Sequence, residues 1–211
     1  MAVYDLEEQE KLDEIKAWWK QWGNAIIAAV SVFVIVFSGI QWWRQHERAL
    51  TGEAATLFAA VQKAAEEKDS KKIADAAKAI IDKYPKSAYA PRSALVAAKA
   101  AFDKGDLAAA KAQLEWAVTH AKEEELKSVA RLRLAAVLAD EKNFDAAIKH
   151  LDRNTGAGFE AVTAAMRGDI LFAQGRLADA KNAYAIALAR TNPQGDKQLL
   201  QLKFDALGEA K

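Results

Sequence analysis

The sequence predicts an all-α chain in which one membrane-spanning helix precedes a solenoid of stacked helical hairpins. Three observations carry that reading. An uncharged apolar run at residues 25–40 lies between tryptophans, an apolar–alanine–apolar pattern recurs four times further on, and only 10 Gly and 3 Pro occur in 211 residues. Alanine dominates the apolar set and loses no side-chain entropy in a helix, while scarce Gly and Pro leave few breaks. The 30 Lys+Arg against 29 Asp+Glu give a formal net charge of +1, too little for the phosphate-neutralising field of a nucleic-acid binder. No nucleic-acid partner is expected. With 0 Cys the chain has no disulfide framework, no thiolate nucleophile and no cysteine zinc site, and nothing to mispair in an oxidising compartment.

The first element is the run AIIAAVSVFVIVFSGI, bracketed by Trp18, Trp19 and Trp22 on one side and Trp42 and Trp43 on the other. A helix from Trp22 to Trp42 rises about 30 Å, which sets the two tryptophan groups at the two interfaces of a typical hydrocarbon core. Its large apolar residues contribute on the order of −3 to −6 kcal/mol of insertion free energy, reduced in part by Ser31, Ser38 and Gly39. A cleaved signal peptide would need small residues soon after the apolar stretch, whereas this one continues into Gln41, Trp42, Trp43 and Arg44 behind a long acidic leader. A buried soluble helix would not need tryptophans at both ends. Lys11, Lys16 and Lys20 ahead of the span, against Arg44 and Arg48 behind it, give a small bias toward an N-terminus inside. The expected organisation is an acidic tail at 1–22, a transmembrane helix at 23–43 and a helical domain at 44–211.

In that domain a large apolar residue, an alanine three on and a larger apolar residue four further recur. The sets are Ile73/Ala76/Ile80, Leu107/Ala110/Leu114, Phe144/Ala147/Leu151 and Leu177/Ala180/Tyr184, with the alanines 34, 37 and 33 residues apart. Gly105 and Gly175 precede the second and fourth sets where a helix must stop and reverse, and Lys71 and Lys142 hold the equivalent place in the others. Each unit reads as helix, tight turn and second helix, with the alanine letting the axes approach. This resembles the tetratricopeptide pattern. The fourth unit matches it most fully, with Gly168, Leu171, Gly175, Leu177, Ala180, Tyr184 and Ala187 at the expected offsets and Asn192-Pro193 closing it. No unit has the usual early Trp, Leu134-Ala135 replaces the glycine site of the third, and Asn154 replaces its late alanine. The first unit, residues 50–84, is the most degenerate. Hairpins of this kind bury their apolar faces only by stacking, and they need a cap. Leu199, Leu200, Leu202, Phe204 and Leu207 on a last helix supply it. Asn154-Thr155-Gly156-Ala157-Gly158 reads as a loop, its glycines too few for a phosphate-binding turn.

No constellation for catalysis, metal or cofactor stands out. His46, His120 and His150 fall in different helices without a second ligand at metal spacing, and Glu123, Glu124 and Glu125 read as a solvated helix start. The surface a helical solenoid does offer is the concave wall made by the first helix of each unit, on which a segment of another protein can lie. By repeat offset, Phe58, Val61, Arg92, Leu95, Lys99, Phe102, Asp169 and Phe172 fall on that wall. Phe102 and Phe172 are equivalent and two repeats apart. Either they are partly exposed and grip apolar side chains of a bound polypeptide, or they pack into the solenoid core as large aromatics mostly do.

Taken together, the leader Tyr4-Asp5-Leu6-Glu7-Glu8-Gln9-Glu10, Trp18-Trp19-Lys20, the span ending at Trp42-Trp43-Arg44 and the degenerate repeats resemble a known family over essentially the whole chain. Ala130-Arg131-Leu132-Arg133-Leu134-Ala135, Gly156-Ala157-Gly158-Phe159 and Met166-Arg167-Gly168-Asp169-Ile170-Leu171 extend the likeness. That family is the YfgM-type ancillary subunit of the bacterial Sec translocon. The resemblance implies a non-enzymatic inner-membrane protein with a cytoplasmic tail and a periplasmic helical domain. It implies association with the Sec channel, with a membrane-anchored periplasmic chaperone of prolyl-isomerase type and with exported polypeptides, besides membrane lipid around the span. A second role attached to the family is binding of a cytoplasmic response regulator by the tail. The residues by themselves also leave open an envelope scaffold built on the same repeats.

Overall fold

The computed structural model describes residues 3–154, 156–191 and 197–208, apart from the side chains of residues 3–10 and 46–49. The Asn192-Pro193 closure lies outside the described residues, as do the side chains of His46, Arg48 and the leader residues Tyr4 to Glu10. Among the described residues the elements are α1 (Val3–Glu66), α2 (Ser70–Lys83), α3 (Tyr89–Asp103), α4 (Leu107–His120), α5 (Glu124–Asp140), α6 (Phe144–Asp152), α7 (Glu160–Ala173), α8 (Leu177–Arg190) and α9 (Lys197–Ala206). The chain divides by internal packing into two units, Met1–Leu50 and Thr51–Lys211.

In the first unit, α1 is the one helix among the described residues long and apolar enough to cross a membrane. The successive residues Val34, Ile35, Val36 and Phe37 are all more than half exposed. Four consecutive helical residues point round the whole circumference, so the segment has no polar face. Such a helix is stable where its surroundings are apolar too and where every backbone group is bonded within the helix. Phe33 and Phe37 stack one turn apart, ring centres 6.0 Å from each other. At the near end Trp19 lies over Gly23, where a Cβ would stand 3.2 Å from the indole.

The second unit is built of hairpins. The last turns of α1, from residue 51, pair with α2, then α3 with α4, α5 with α6, and α7 with α8, and α9 closes the series. Each reversal uses one left-handed residue immediately ahead of the helix cap: Lys68 at φ 54°, Gly105 at 80°, Lys142 at 60° and Gly175 at 77°. This corrects the sequence reading of the first unit. Lys68, not Lys71, is the counterpart of Gly105, because Asp69 caps α2 by accepting from the Lys71 and Lys72 amides at 3.2 and 3.1 Å. The true repeat is therefore 37, 37 and 33 residues. The first set becomes Ser70/Ile73/Ala77 in place of Ile73/Ala76/Ile80. An apolar stripe on a helix looks much the same after a slip of three, and only the turn fixes which register is used.

With that register, an inverse pairing of sizes emerges. Seven residues before each reversal stand Val61, Ala98, Ala135 and Gly168, and nine after it stand Ala77, Leu114, Leu151 and Tyr184. All eight are buried. Where the first helix grows, the second shrinks, and at Gly168 a Cβ would lie 2.5 Å from the Tyr184 ring. Close packing holds the total volume and lets the partition vary.

The third unit departs most. Its second helix, α6, has 9 residues where α4 and α8 have 14. The chain leaves it at Asn154, whose buried amide donates from Nδ2 to Thr163 Oγ1 at 2.9 Å and so ties the following loop to α7. Gly156 then passes so near α5 that a Cβ would meet Ser128 Oγ at 2.2 Å. At the end of the solenoid Leu200, Phe204 and Leu207 cover Leu171, Ala180, Ala183 and Tyr184, as a cap should. Leu199 and Leu202 do not: they are 48% and 67% exposed. The five residues expected to form the cap thus divide between two faces of α9, and only one face has a preceding helix to cover.

Candidate protein-binding wall

Within the second unit, first helices approach one another directly, α3 with α5 and α5 with α7, while no pair of second helices comes as close among the described residues. The first helices therefore line the inner side of the curve. Phe58 is half-buried on this side, its ring 5.3 Å from that of Tyr89. Arg92 sits half-buried with its guanidinium 3.2 Å from the Glu123 carboxylate. Lys99 is exposed and pairs with Asp103 at 2.7 Å.

Two of the expected wall residues are core. Val61 is fully buried because it occupies the small-residue position facing the second helix, and Leu95 packs inside the central cluster with its repeat equivalent Leu132. Asp169 is on the surface but already engaged. It accepts from the Tyr184 hydroxyl at 2.7 Å and from Lys203 Nζ at 2.6 Å, tying α7 to α8 and α9. Burial first, and this bond second, push the Tyr184 phenol well above its ordinary pKa.

Phe102 and Phe172 are exposed, 40% and 54%. Their repeat equivalents are Ala65 and Ala139, so the wall alternates a projecting aromatic with a flat step. Phe102 lies over a groove of about 340 Å³ between α3 and α5, floored by Leu114 and lined also by Lys99, Arg133, Ala136 and Val137. Arg133, which no repeat offset reveals, donates across the helices to the Leu95 carbonyl at 3.4 Å. Ala136 was legible as the counterpart of Lys99 and Asp169, but an alanine has no chemistry to draw notice. The groove thus combines an apolar floor, an aromatic edge and two cations against one carboxylate.

The remaining titratable candidates are held in local contacts. His120 stacks on Trp116 with ring centres 4.2 Å apart, and its Nδ1 lies 2.9 Å from the Trp116 carbonyl oxygen. His150 is half-buried in α6, and burial together with Arg153 lowers its pKa. Glu124 is 2.6 Å from Lys127 and 3.7 Å from Arg131 in the first turns of α5.

Residues 16–209 match the tetratricopeptide repeat-like domain family. An ancillary SecYEG translocon subunit of Haemophilus influenzae is 30% identical over 205 residues, 97% of this chain and all of that protein. The protein of the same description from Neisseria gonorrhoeae is 30% identical over 210 residues, covering 98% of this chain and all of the relative. That from Escherichia coli is 28% identical over 207 residues, covering 98% and 99%. The match runs through span and repeats alike, and on it the chain belongs to the family of ancillary SecYEG translocon subunits, with a tetratricopeptide repeat-like domain behind one N-terminal apolar helix.

Proposed function

We propose that this chain is a non-enzymatic accessory protein of the Sec translocon, anchored in the bacterial inner membrane through residues 23–43. Its acidic tail, 1–22, faces the cytoplasm, where its carboxylates suit a basic surface such as that of a response regulator. Its domain, 44–211, faces the periplasm. There it binds a membrane-anchored prolyl-isomerase-type chaperone and emerging exported polypeptides, and helps their transfer to folding. Full-length likeness to subunits named for SecYEG supports the translocon role. The observation that carries the binding role is the exposed aromatic pair, Phe102 over its groove and Phe172 two repeats on. Aromatic knobs beside an apolar floor are the usual anchors of a protein interface.

Photocrosslinking in intact cells, with probes at Phe102, Phe172 and Val34, tests partner and site together. Adducts of the Sec channel from Val34, and of chaperone or exported chains from the two wall positions, are the expected result. Adducts only with envelope scaffolds or cytoplasmic proteins would sink it. The double variant Phe102→Ser/Phe172→Ser should lose about thirtyfold or more in affinity for the captured partner, on the order of 1 kcal/mol or more per anchor. Its circular dichroism should be unchanged because both rings are exposed. With 0 native Cys, single cysteines at Glu8 and Lys142 report topology by impermeant maleimide labelling, Lys142 reacting in intact spheroplasts and Glu8 only after lysis.

A further inference from the structure

The outer face of α9 is the place where the solenoid stops without being finished. The first helices α3, α5 and α7 are each covered on one side by the preceding unit and on the other by their own second helix. α9 stands fifth in the series of first helices and is followed by no second helix among the described residues. Its inner side is spent on Leu200, Phe204 and Leu207. On the outer side Leu202 is 67% exposed, one turn ahead of exposed Ala206. Beside it runs an open groove between α8 and α9 lined by Leu188, Leu202, Gln198 and Gln201, with Lys197 at one end and Asp205 at the other. End units of helical solenoids need a polar outer face to stay single, and here an exposed leucine stands among the polar residues of that face.

We infer that α9 pairs with α9 of a second copy of this chain, antiparallel about a two-fold axis passing near Gln201. The charge pattern selects this occupant. Lys197 and Asp205 lie four residues to either side of Gln201, so antiparallel pairing sets Lys197 of each copy against Asp205 of the other and opposes the two helix dipoles. Parallel pairing would place like charges together. Leu202 of each copy then fills the groove beside Leu188 of the other, in the position a second helix takes in the complete units. A contact of one short helix per copy is smaller than a standard interface of about 1,200–2,000 Å², so pairing is weak in solution. Two copies anchored in one membrane gain the effective concentration that makes it count.

The test uses the full chain in membrane vesicles at low protein density, with Gln201→Cys as reporter in a chain that has no other cysteine. Oxidation should give disulfide-linked dimer at least fivefold above that from Asp145→Cys on exposed α6. Adding Leu202→Glu should reduce the dimer at least fivefold while the melting curve stays in place. Lys197→Asp should weaken it, and Lys197→Asp/Asp205→Lys should restore it. Equal dimer from the two cysteine positions, indifference to Leu202→Glu, no rescue by the charge exchange, or an adduct of Gln201→Cys with a different protein would each overturn the pairing.

Discussion

Gly168→Ala is expected to lower the melting temperature by roughly 6–12 °C. The new Cβ would lie 2.5 and 2.6 Å from two carbons of the Tyr184 ring and 2.9 Å from a third, all nearer than real contacts allow. The ring cannot retreat, being buried under α9 with its hydroxyl held 2.7 Å from Asp169. Overpacking of this kind costs about 3 kcal/mol, and each kcal/mol moves the midpoint of a domain this size by about 2–4 °C. The equivalent positions show why the penalty belongs to the pair. Ala98 and Ala135 carry the same Cβ and are buried without strain because Leu114 and Leu151 stand where Tyr184 does. Gly168→Ala/Tyr184→Leu should therefore be no less stable than Tyr184→Leu alone, a coupling of about 3 kcal/mol in a double-mutant cycle read by thermal denaturation. A shift under 2 °C for Gly168→Ala, or strict additivity in the cycle, would remove the size-exchange account.

Val34→Asp/Ile35→Asp should release the chain from the membrane. Each aspartate at mid-span costs about 2.5–3.5 kcal/mol and also loses the favourable contribution of the residue it replaces, so the pair exceeds the whole −3 to −6 kcal/mol or so estimated for the span. Both side chains are exposed on a helix with no polar face, so the new charges would stand in the apolar surroundings of the span. Most of the double variant should appear in the soluble fraction after alkaline extraction, while Val34→Leu remains in the pellet. Retention of the aspartate variant would mean that protein rather than lipid surrounds the run. The helical domain should keep its melting curve either way, since packing divides the chain at Leu50 and Thr51.

The Phe102 and Phe172 pair shows how far a sequence carries a binding surface. Their equivalence followed from repeat offset alone, but their exposure did not, because a large aromatic at that offset is equally compatible with a core. Arg133 was not among the wall residues expected from the repeat, since it reaches the groove by crossing from one first helix to the carbonyl of another. Asp169 was placed on the wall by repeat offset, and only the tertiary structure brings Lys203 to it from 34 residues away.

What the sequence determined by itself is what depends on local order: helix throughout, a run of the right length for a bilayer between two tryptophan groups, and a repeat of hairpins. Charge absence, helix rise and alanine spacing act within one segment and read directly from it. Tertiary structure alone decided the register of the first hairpin, the exchange of size between facing positions, and which of the wall residues remain in solvent. Those depend on which neighbouring helix lands on which face. An apolar stripe accepts a slip of three residues, and the choice between registers is made where Asp69 caps α2 and Lys68 turns the chain.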